Sequence, residues 1–93
     1  MNIKLLKFTT GEEVIINLIS EDPLKVTFKD GLTMVFDGQR LQAIPFSMMI
    51  EEHQELSISR DKLIFITEPR KDLIEQYNAQ FSSILTPNKS IIT

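Results

Sequence analysis

The segment Leu6–Leu18 reads LKFTTGEEVIINL and decides the fold of this chain. Apolar and β-branched residues lie on both sides of a polar turn, a pattern typical of the two strands of a hairpin. Gly11 lies near the centre of that turn, where glycine adopts the positive φ that tight turns require. We therefore expect this hairpin to begin a sheet that the rest of the chain completes.

Length and composition limit the class of protein. The chain has 93 residues, 42% of them hydrophobic, and a formal net charge of −3, which predicts one small domain with a real core. The lack of cysteine excludes disulfides and thiolate metal sites, and the negative charge argues against a domain built mainly to bind phosphate groups. We find no signal peptide and no membrane-spanning run, and so expect a cytoplasmic protein with no membrane partner.

Short apolar runs separated by turn residues predict further strands. Asp37-Gly38 is the strongest hairpin signal, whereas Asp30-Gly31 is either a turn or a kink in a long bent strand. Regular strands joined by tight turns favour a small barrel or sandwich. The predicted strands are Ile3–Phe8, Glu13–Ile19, Leu24–Lys29, Leu32–Phe36, Arg40–Ile50, Leu56–Ile58 and Leu63–Ile66.

Two of these strands, Glu13–Ile19 and Leu63–Ile66, are apolar on both faces. A strand at the edge of a monomeric sheet normally has one polar face, so a helix, a bent-over sheet or a neighbouring subunit must cover the second one. A domain this small gains much from burying surface in an oligomer. We expect a cyclic homo-oligomer with these interface residues: Ile15, Ile19, Ile64 and Ile66.

The period changes to that of a helix after Glu68. Pro69 is expected at the first helical position, and the helical pattern runs from Arg70 to Leu85, before Thr86-Pro87. This predicts a barrel over 1–68, a helix over 69–86 that packs on its own barrel or on a neighbour, and a tail over 87–93 in which Ile91–Ile92 could dock on a neighbour. One apolar stripe of the helix contains Leu73, Ile74, Tyr77, Phe81, Ile84 and Leu85.

The chain resembles the Sm-like (LSm/Hfq) family of small, strongly bent sheets that assemble into rings. The first family motif is matched by Leu6, Phe8, Gly11, Val14 and Leu18, and the apolar frame of the second by Ile58, Leu63 and Ile66. A closer likeness is to short, uncharacterised Sm-like proteins of tailed phages that infect cyanobacteria. It is carried by the opening LLKFTTGEE, Pro45-Phe46, and Ile66-Thr67-Glu68-Pro69 followed by Tyr77 and Phe81.

The resemblance implies an Sm-like, SH3-type fold: a mainly β chain with a strongly bent five-stranded antiparallel sheet, here followed by a C-terminal amphipathic helix. It also implies a phage origin, a host-cytoplasmic location, a ring of about five to seven copies and RNA or single-stranded nucleic acid as ligand. Three features depart from the family. Ile16 replaces the second glycine of the first motif, the helix follows the strands instead of preceding them, and the uracil-pocket residues are altered.

The altered pocket lies on two turns. The family's Asp-x-x-Met-Asn corresponds to residues 22–26, of which only Asp22 is retained, and its Arg-Gly corresponds to Ser59-Arg60. Three basic residues, Lys25, Arg60 and Lys62, lie on the same turns and would be repeated around a ring. They either contact phosphate or form solvated turns with Asp22 and Asp61. The candidate nucleic-acid-binding set is Asp22, Lys25, Ser59, Arg60 and Lys62.

No pattern predicts an enzyme, a cofactor or a metal site. His53 is the single histidine and is either a general base or metal ligand with Glu51, Glu52 and Glu55, or part of a solvated loop, which we favour. Glu12-Glu13 is either a carboxylate pair for acid–base work or a solubilising turn, because adjacent strand residues point to opposite faces. Two hypotheses remain: a ring-forming Sm-like protein that binds nucleic acid weakly, or a structural or protein-interaction module that binds none.

Overall fold

The predicted N-terminal hairpin forms as two antiparallel strands, β1 (Ile3–Phe8) and β2 (Glu13–Glu21). Leu6 lies opposite Val14 in this pair, and Gly11 has a φ of 104° in the turn. The turn is closed by the Gly11 amide, which donates to the Phe8 carbonyl at 2.9 Å. Glycine therefore occurs where the chain needs a left-handed residue.

The computed structural model describes residues 1–85, with no account of the side chains of residues 82–85. Three predictions therefore lie outside the described part of the chain: those for the side chains of Ile84 and Leu85, for the stop at Thr86-Pro87 and for the tail. Beyond β1 and β2, the elements are β3 (Lys25–Phe36), β4 (Leu41–Pro45), β5 (Leu56–Ser59), a 3-10 turn (Arg60–Lys62), β6 (Leu63–Thr67) and α1 (Lys71–Leu85).

The strands form one open antiparallel sheet in the order β4-β3-β2-β1-β6, and β5 also pairs with β3. The expected mainly β class with a C-terminal helix is confirmed. The family resemblance implies five strands, and the sheet has five strands along its main path with β5 beside them. The predicted strand Arg40–Ile50 is too long, because β4 ends at Pro45 and residues 46–55 form a loop. Proline has no N–H to continue the ladder, so β4 and β5 occupy successive parts of the same edge of β3.

A bulge makes β3 a single bent strand instead of two separate ones. Ile15 faces Leu32 and Asn17 faces Lys29, so β3 has one more residue than β2 across this stretch. Asp30 has a φ of 54° at the irregularity. A bulge bends a strand and increases its twist. Of the two alternatives for Asp30-Gly31, a turn or a kink in a long bent strand, the structure therefore has the kink.

The sheet separates two apolar clusters. An inner cluster lies between the curved strands and contains Leu6, Val14, Ile16, Leu18, Val26 and Phe28. An outer cluster lies between the sheet and α1 and contains Ile15, Leu32 and Tyr77, with Leu73 and Phe81 partly buried against it. The alternating residues of β2 enter different clusters, which explains why both of its faces are apolar.

Helix α1 packs on its own sheet through the predicted Leu73/Tyr77/Phe81 stripe. The Tyr77 hydroxyl donates to the Asp30 carbonyl at 2.6 Å, so the helix is attached to the bulge of β3. The prediction for the helix start is wrong by two residues. The Arg70 carbonyl accepts from the Ile74 amide at 3.0 Å, so Pro69 precedes the first turn and lies buried there.

The second apolar face of β6, which was expected to be covered by a helix, a bent-over sheet or a neighbouring subunit, is partly open in the single chain. Leu63 and Ile66 pack against the inner cluster, but Ile64 is 59% exposed and Phe65 is 40% exposed. The reason is the position of β6, which pairs with β1 on one side only. The second edge of β6 and its outer apolar side chains are therefore available for contact.

Candidate functional site

The two turns predicted to face nucleic acid meet at one end of the sheet. Lys25 pairs with Ser59 in the ladder between β3 and β5. The Arg60 amide donates to the Leu24 carbonyl at 2.9 Å, which joins the turn after β2 to the 3-10 turn before β6. The structure thus brings Asp22, Lys25, Ser59 and Arg60 together. Lys62 lies further along the surface, where its carbonyl accepts from the Thr9 amide at 2.9 Å.

Asp22 shapes its own turn. Its Oδ1 accepts from the Leu24 amide at 2.8 Å and from the Lys25 amide at 2.9 Å. These two backbone hydrogen bonds hold the pKa of Asp22 below its usual value, and the positive charges of Lys25 and Arg60 lower it further. The carboxylate is therefore committed to the Asx turn.

The charges of the paired turns largely cancel. Arg60 Nη1 lies 2.9 Å from Glu21 Oε1, and Ser59 Oγ donates to Asp61 Oδ1 at 2.7 Å. Within residues 1–85, neither Lys25 nor Lys62 forms an ion pair. The turns contain three basic and three acidic residues: Lys25, Arg60 and Lys62 against Glu21, Asp22 and Asp61. A single copy therefore offers phosphate a nearly neutral surface with two lysines.

The four predicted interface residues occupy different environments. Ile15 is 1% exposed, because α1 covers it within the chain, so it offers no surface to a second copy. Ile66 is partly buried against the inner cluster. Ile19 and Ile64 are exposed, and of these two Ile64 lies on an edge strand. Sequence reasoning did not assign Phe65, whose exposure was hidden by the fully apolar pattern of its strand.

A cavity of about 330 Å³ opens in the gap between β4 and β5. On this edge the middle of β3 pairs with neither β4 nor β5. Gly31 contacts the loop here through a 2.8 Å hydrogen bond from the Phe46 amide. We call this space the edge cavity. Its apolar lining comes from Leu32, Pro45, Phe46, Met48, Ile50, Leu56 and Phe81, and its polar lining includes Asp30, Glu51, Glu52, His53 and Gln80.

His53 is held at the wall of the edge cavity. Its Nδ1 lies 2.8 Å from Asp30 Oδ1, and its side chain is about half exposed. The favoured sequence interpretation, a solvated loop, therefore misses a specific contact. Asp30 and His53 are 23 residues apart with no motif linking them, so no local signal could have revealed the pair.

The chemistry available at this pair is limited. An imidazole beside a carboxylate can relay a proton, but a nucleophilic mechanism also needs a serine, cysteine or similar group within reach. Ser47 lines the same cavity, but its hydroxyl accepts from the Met49 amide. Within the described residues, no group of three or more His, Asp or Glu side chains could hold a metal ion.

No protein-family model matches this chain, and no curated protein matches its sequence.

The described part of the chain contains no helix long and apolar enough to cross a membrane.

Proposed function

We propose that this chain is an Sm-like protein that assembles into a cyclic homo-oligomer. Support comes from the sheet, in which β4 and β5 act as successive parts of one strand beside β3. This layout corresponds to the bent five-stranded sheet implied by the family resemblance. The family's second glycine, which is Ile16 here, leaves room for a strong bend in the sheet. In this chain Gly31 of β3 leaves that room instead, because it faces Val14 and Ile16 of β2 across the bulge.

One observation carries the assembly: the open sheet has two apolar edges. At one edge, β6 consists of LIFIT, without a charge or a proline, and exposes Ile64 and Phe65. At the other, β4 exposes Leu41 and Ile44. Soluble proteins normally protect a free edge with lysine, proline or a covering element. β6 has no lysine or proline, and β4 has a proline only at its last residue, Pro45, so both edges favour pairing with another chain.

The two edges are different, which favours a ring over a twofold dimer. Joining β6 of one copy to the β4/β5 edge of the next is a head-to-tail contact, and repeated rotation closes such contacts into a ring. The expected size is about five to seven copies, as the family resemblance implies. Every copy would then contribute Lys25 and Lys62 to one shared face.

The assembly is tested by multi-angle light scattering during size-exclusion chromatography. We expect the wild-type chain to elute as one closed oligomer at micromolar concentration, and Ile64→Asp to elute as a monomer, because a charge would be buried without a partner. Leu24→Asp is the matched control, since the Leu24 side chain is 80% exposed in the turn between β2 and β3. A monomeric wild-type chain would overturn the proposal.

We infer that nucleic acid is bound only weakly by the assembled ring. The support is electrostatic: two lysines per copy add up around a ring, while the neighbouring ion pairs and the net charge of −3 oppose phosphate. Val26 and Lys25 stand where the family has its base-reading residues, so selectivity for uracil is not expected.

Fluorescence anisotropy with labelled oligo-U and oligo-A tests this binding. Affinity should be similar for both and should fall steeply with salt. Lys25→Ala combined with Lys62→Ala should remove most of it, whereas Lys71→Ala, at the start of α1, should not. Salt-resistant binding to one homopolymer would contradict this inference.

The second candidate is a ring or single-chain protein-interaction module without nucleic-acid binding. It is favoured by the 46–55 loop, in which Met48 is 77% exposed and Met49 is 92% exposed, since flexible methionine side chains suit protein-binding surfaces. Absence of oligonucleotide binding at low salt, together with an intact ring, would select this candidate.

A further inference from the structure

We propose that the edge cavity is the receptor for Phe65 of a second copy of this chain. This inference rests on the proposed ring and names the contact that holds it together. Phe65 would act as a knob on one edge of each copy, and the edge cavity as the hole on the other. Each copy has one knob and one hole, which is the arrangement that a head-to-tail ring requires.

The pairing of β6 with β1 fixes the face of the sheet on which Phe65 lies. In the ladder between β1 and β6, Leu6 faces Ile66 and Lys7 faces Phe65. Leu6 and Ile66 belong to the inner cluster, and successive strand residues point to opposite faces. Phe65 therefore lies on the outer face of the sheet, the face that α1 covers further along.

The edge cavity lies beside the start of β5 and is also lined by α1. Leu56 is the first residue of β5 and lines the edge cavity, as do Gln80 and Phe81 of α1. A strand added along the free edge of β5 continues the sheet without exchanging its faces. The β6 strand of a neighbour would thus pass the mouth of the cavity with its Phe65 on the same side as α1.

The size and charge of the edge cavity suit Phe65 and its neighbour Lys7. An apolar cavity of about 150 Å³ is enough to hold benzene, so the edge cavity has room for a phenyl ring. Its mouth has the acidic residues Glu51 and Glu52, both exposed. Lys7 faces Phe65 across the ladder and would bring a positive charge toward this acidic rim, in exchange for its partner in the single chain, Glu13, whose Oε2 lies 3.3 Å from Lys7 Nζ.

A single-tryptophan probe tests the contact directly. The chain contains no tryptophan, so the fluorescence of Phe65→Trp reports this position alone. We expect blue-shifted emission in the oligomer and a red shift on dilution to monomers. Leu24→Trp is the control, with solvent-exposed emission in both states. Solvent-exposed emission from Phe65→Trp within an intact oligomer would overturn the proposal.

A mixing experiment separates this proposal from that of the ring. Phe65→Ala removes the knob, and Gln80→Trp covers the hole from the exposed face of α1. Each variant alone should associate at least ten times more weakly than the wild type. A mixture of the two should form a 1:1 dimer, since one intact knob and one intact hole remain. Gln76→Trp, one turn earlier on α1, is the matched control and should assemble normally.

The outcomes are distinguishable by light scattering, with circular dichroism and thermal melting to confirm that each variant folds. If both Phe65→Ala and Gln80→Trp form rings as stable as the wild type, Phe65 does not enter the edge cavity, and the ring proposal remains valid. A monomeric wild-type chain would overturn both. Loss of assembly in each variant without a dimer in the mixture would also contradict the proposed pairing.

Discussion

Gly31 determines how closely the loop after β4 can approach the bulge of β3. A Cβ atom at this position would lie 3.0 Å from Phe46 Cβ and 3.1 Å from Val14 Cγ1. Phe46 in turn stacks on Phe8, with the ring centroids 5.8 Å apart, and packs its edge against Phe28. Glycine is needed here for close approach, since its φ is not among the positive values of this chain.

Gly31→Ala should therefore lower the free energy of unfolding by about 1–3 kcal/mol, the usual cost of overpacking. Urea denaturation followed by circular dichroism measures the change. The double variant Gly31→Ala with Val14→Ala removes one of the two close contacts, so its loss should be smaller than the sum of the single losses. Strict additivity would contradict the steric explanation.

Tyr77 is the residue whose ionisation state is most strongly coupled to folding. Burial raises the pKa of its hydroxyl well above the usual value, and the nearby charge of Asp30 raises it further. The folded chain thus keeps the phenol protonated at a pH where the unfolded chain, with a pKa of about 10, has lost its proton. The stability contributed by the protonated Tyr77 hydroxyl is fully present below a pH of about 10 and is lost as the pH rises above this value.

Above pH 10 or so, the free energy of unfolding should fall by up to about 1.4 kcal/mol per pH unit because of Tyr77. Urea denaturation across the alkaline range measures this slope. Tyr77 is the single tyrosine and the chain has no tryptophan, so tyrosinate absorbance follows this group alone. In Tyr77→Phe this part of the slope should vanish, and an identical alkaline slope in both chains would contradict the assignment.

At the scale of elements, α1 is stabilised by packing on the outer face of the sheet. Tyr77 is completely buried and its ring lies 4.7 Å from that of Phe81, which is only partly buried. The helix therefore covers Ile15 and Leu32 mainly through one central side chain. The contribution of each α1 side chain to the free energy of unfolding should therefore decrease from Tyr77 toward the C-terminal end of the helix.

Alanine substitutions along α1 should reproduce that gradient. Tyr77→Ala should cost about 3–5 kcal/mol, as for other large buried side chains. Phe81→Ala should cost less because part of the ring is exposed, and Gln76→Ala on the opposite face should change stability by less than about 0.5 kcal/mol. Thermal and urea denaturation give the values. Equally small losses of stability in all three variants would show that α1 does not contribute to the folded core.

At the scale of the whole molecule, assembly and stability should be linked. In the proposed ring, the exposed apolar side chains of β6 and β4 become covered, and a partner that binds the folded state raises the apparent stability with its concentration. The melting temperature of the wild-type chain should therefore rise with protein concentration. Ile64→Asp should melt at the same temperature at every concentration, as measured by differential scanning calorimetry, while Leu24→Asp should behave like the wild type.

The sequence by itself determined the elements that depend on near neighbours. The N-terminal hairpin follows from Gly11 between two apolar runs, the second hairpin from Asp37-Gly38, and the helix from the Leu73/Tyr77/Phe81 stripe. Turn geometry and helical or strand periodicity act over a few residues, so the local pattern is sufficient to predict them. The shortened strand at Pro45 was the main local error.

Only the tertiary structure decided which apolar faces are covered and where a cavity lies. The bulge at Asp30 receives His53 from 23 residues away and Tyr77 from 47 residues away, and the edge cavity exists because β4 and β5 leave a gap along β3. The fully apolar pattern of β6 looked like burial, yet its position at the sheet edge leaves Ile64 and Phe65 exposed. Such contacts depend on how distant segments meet, which short-range periodicity and turn chemistry do not encode.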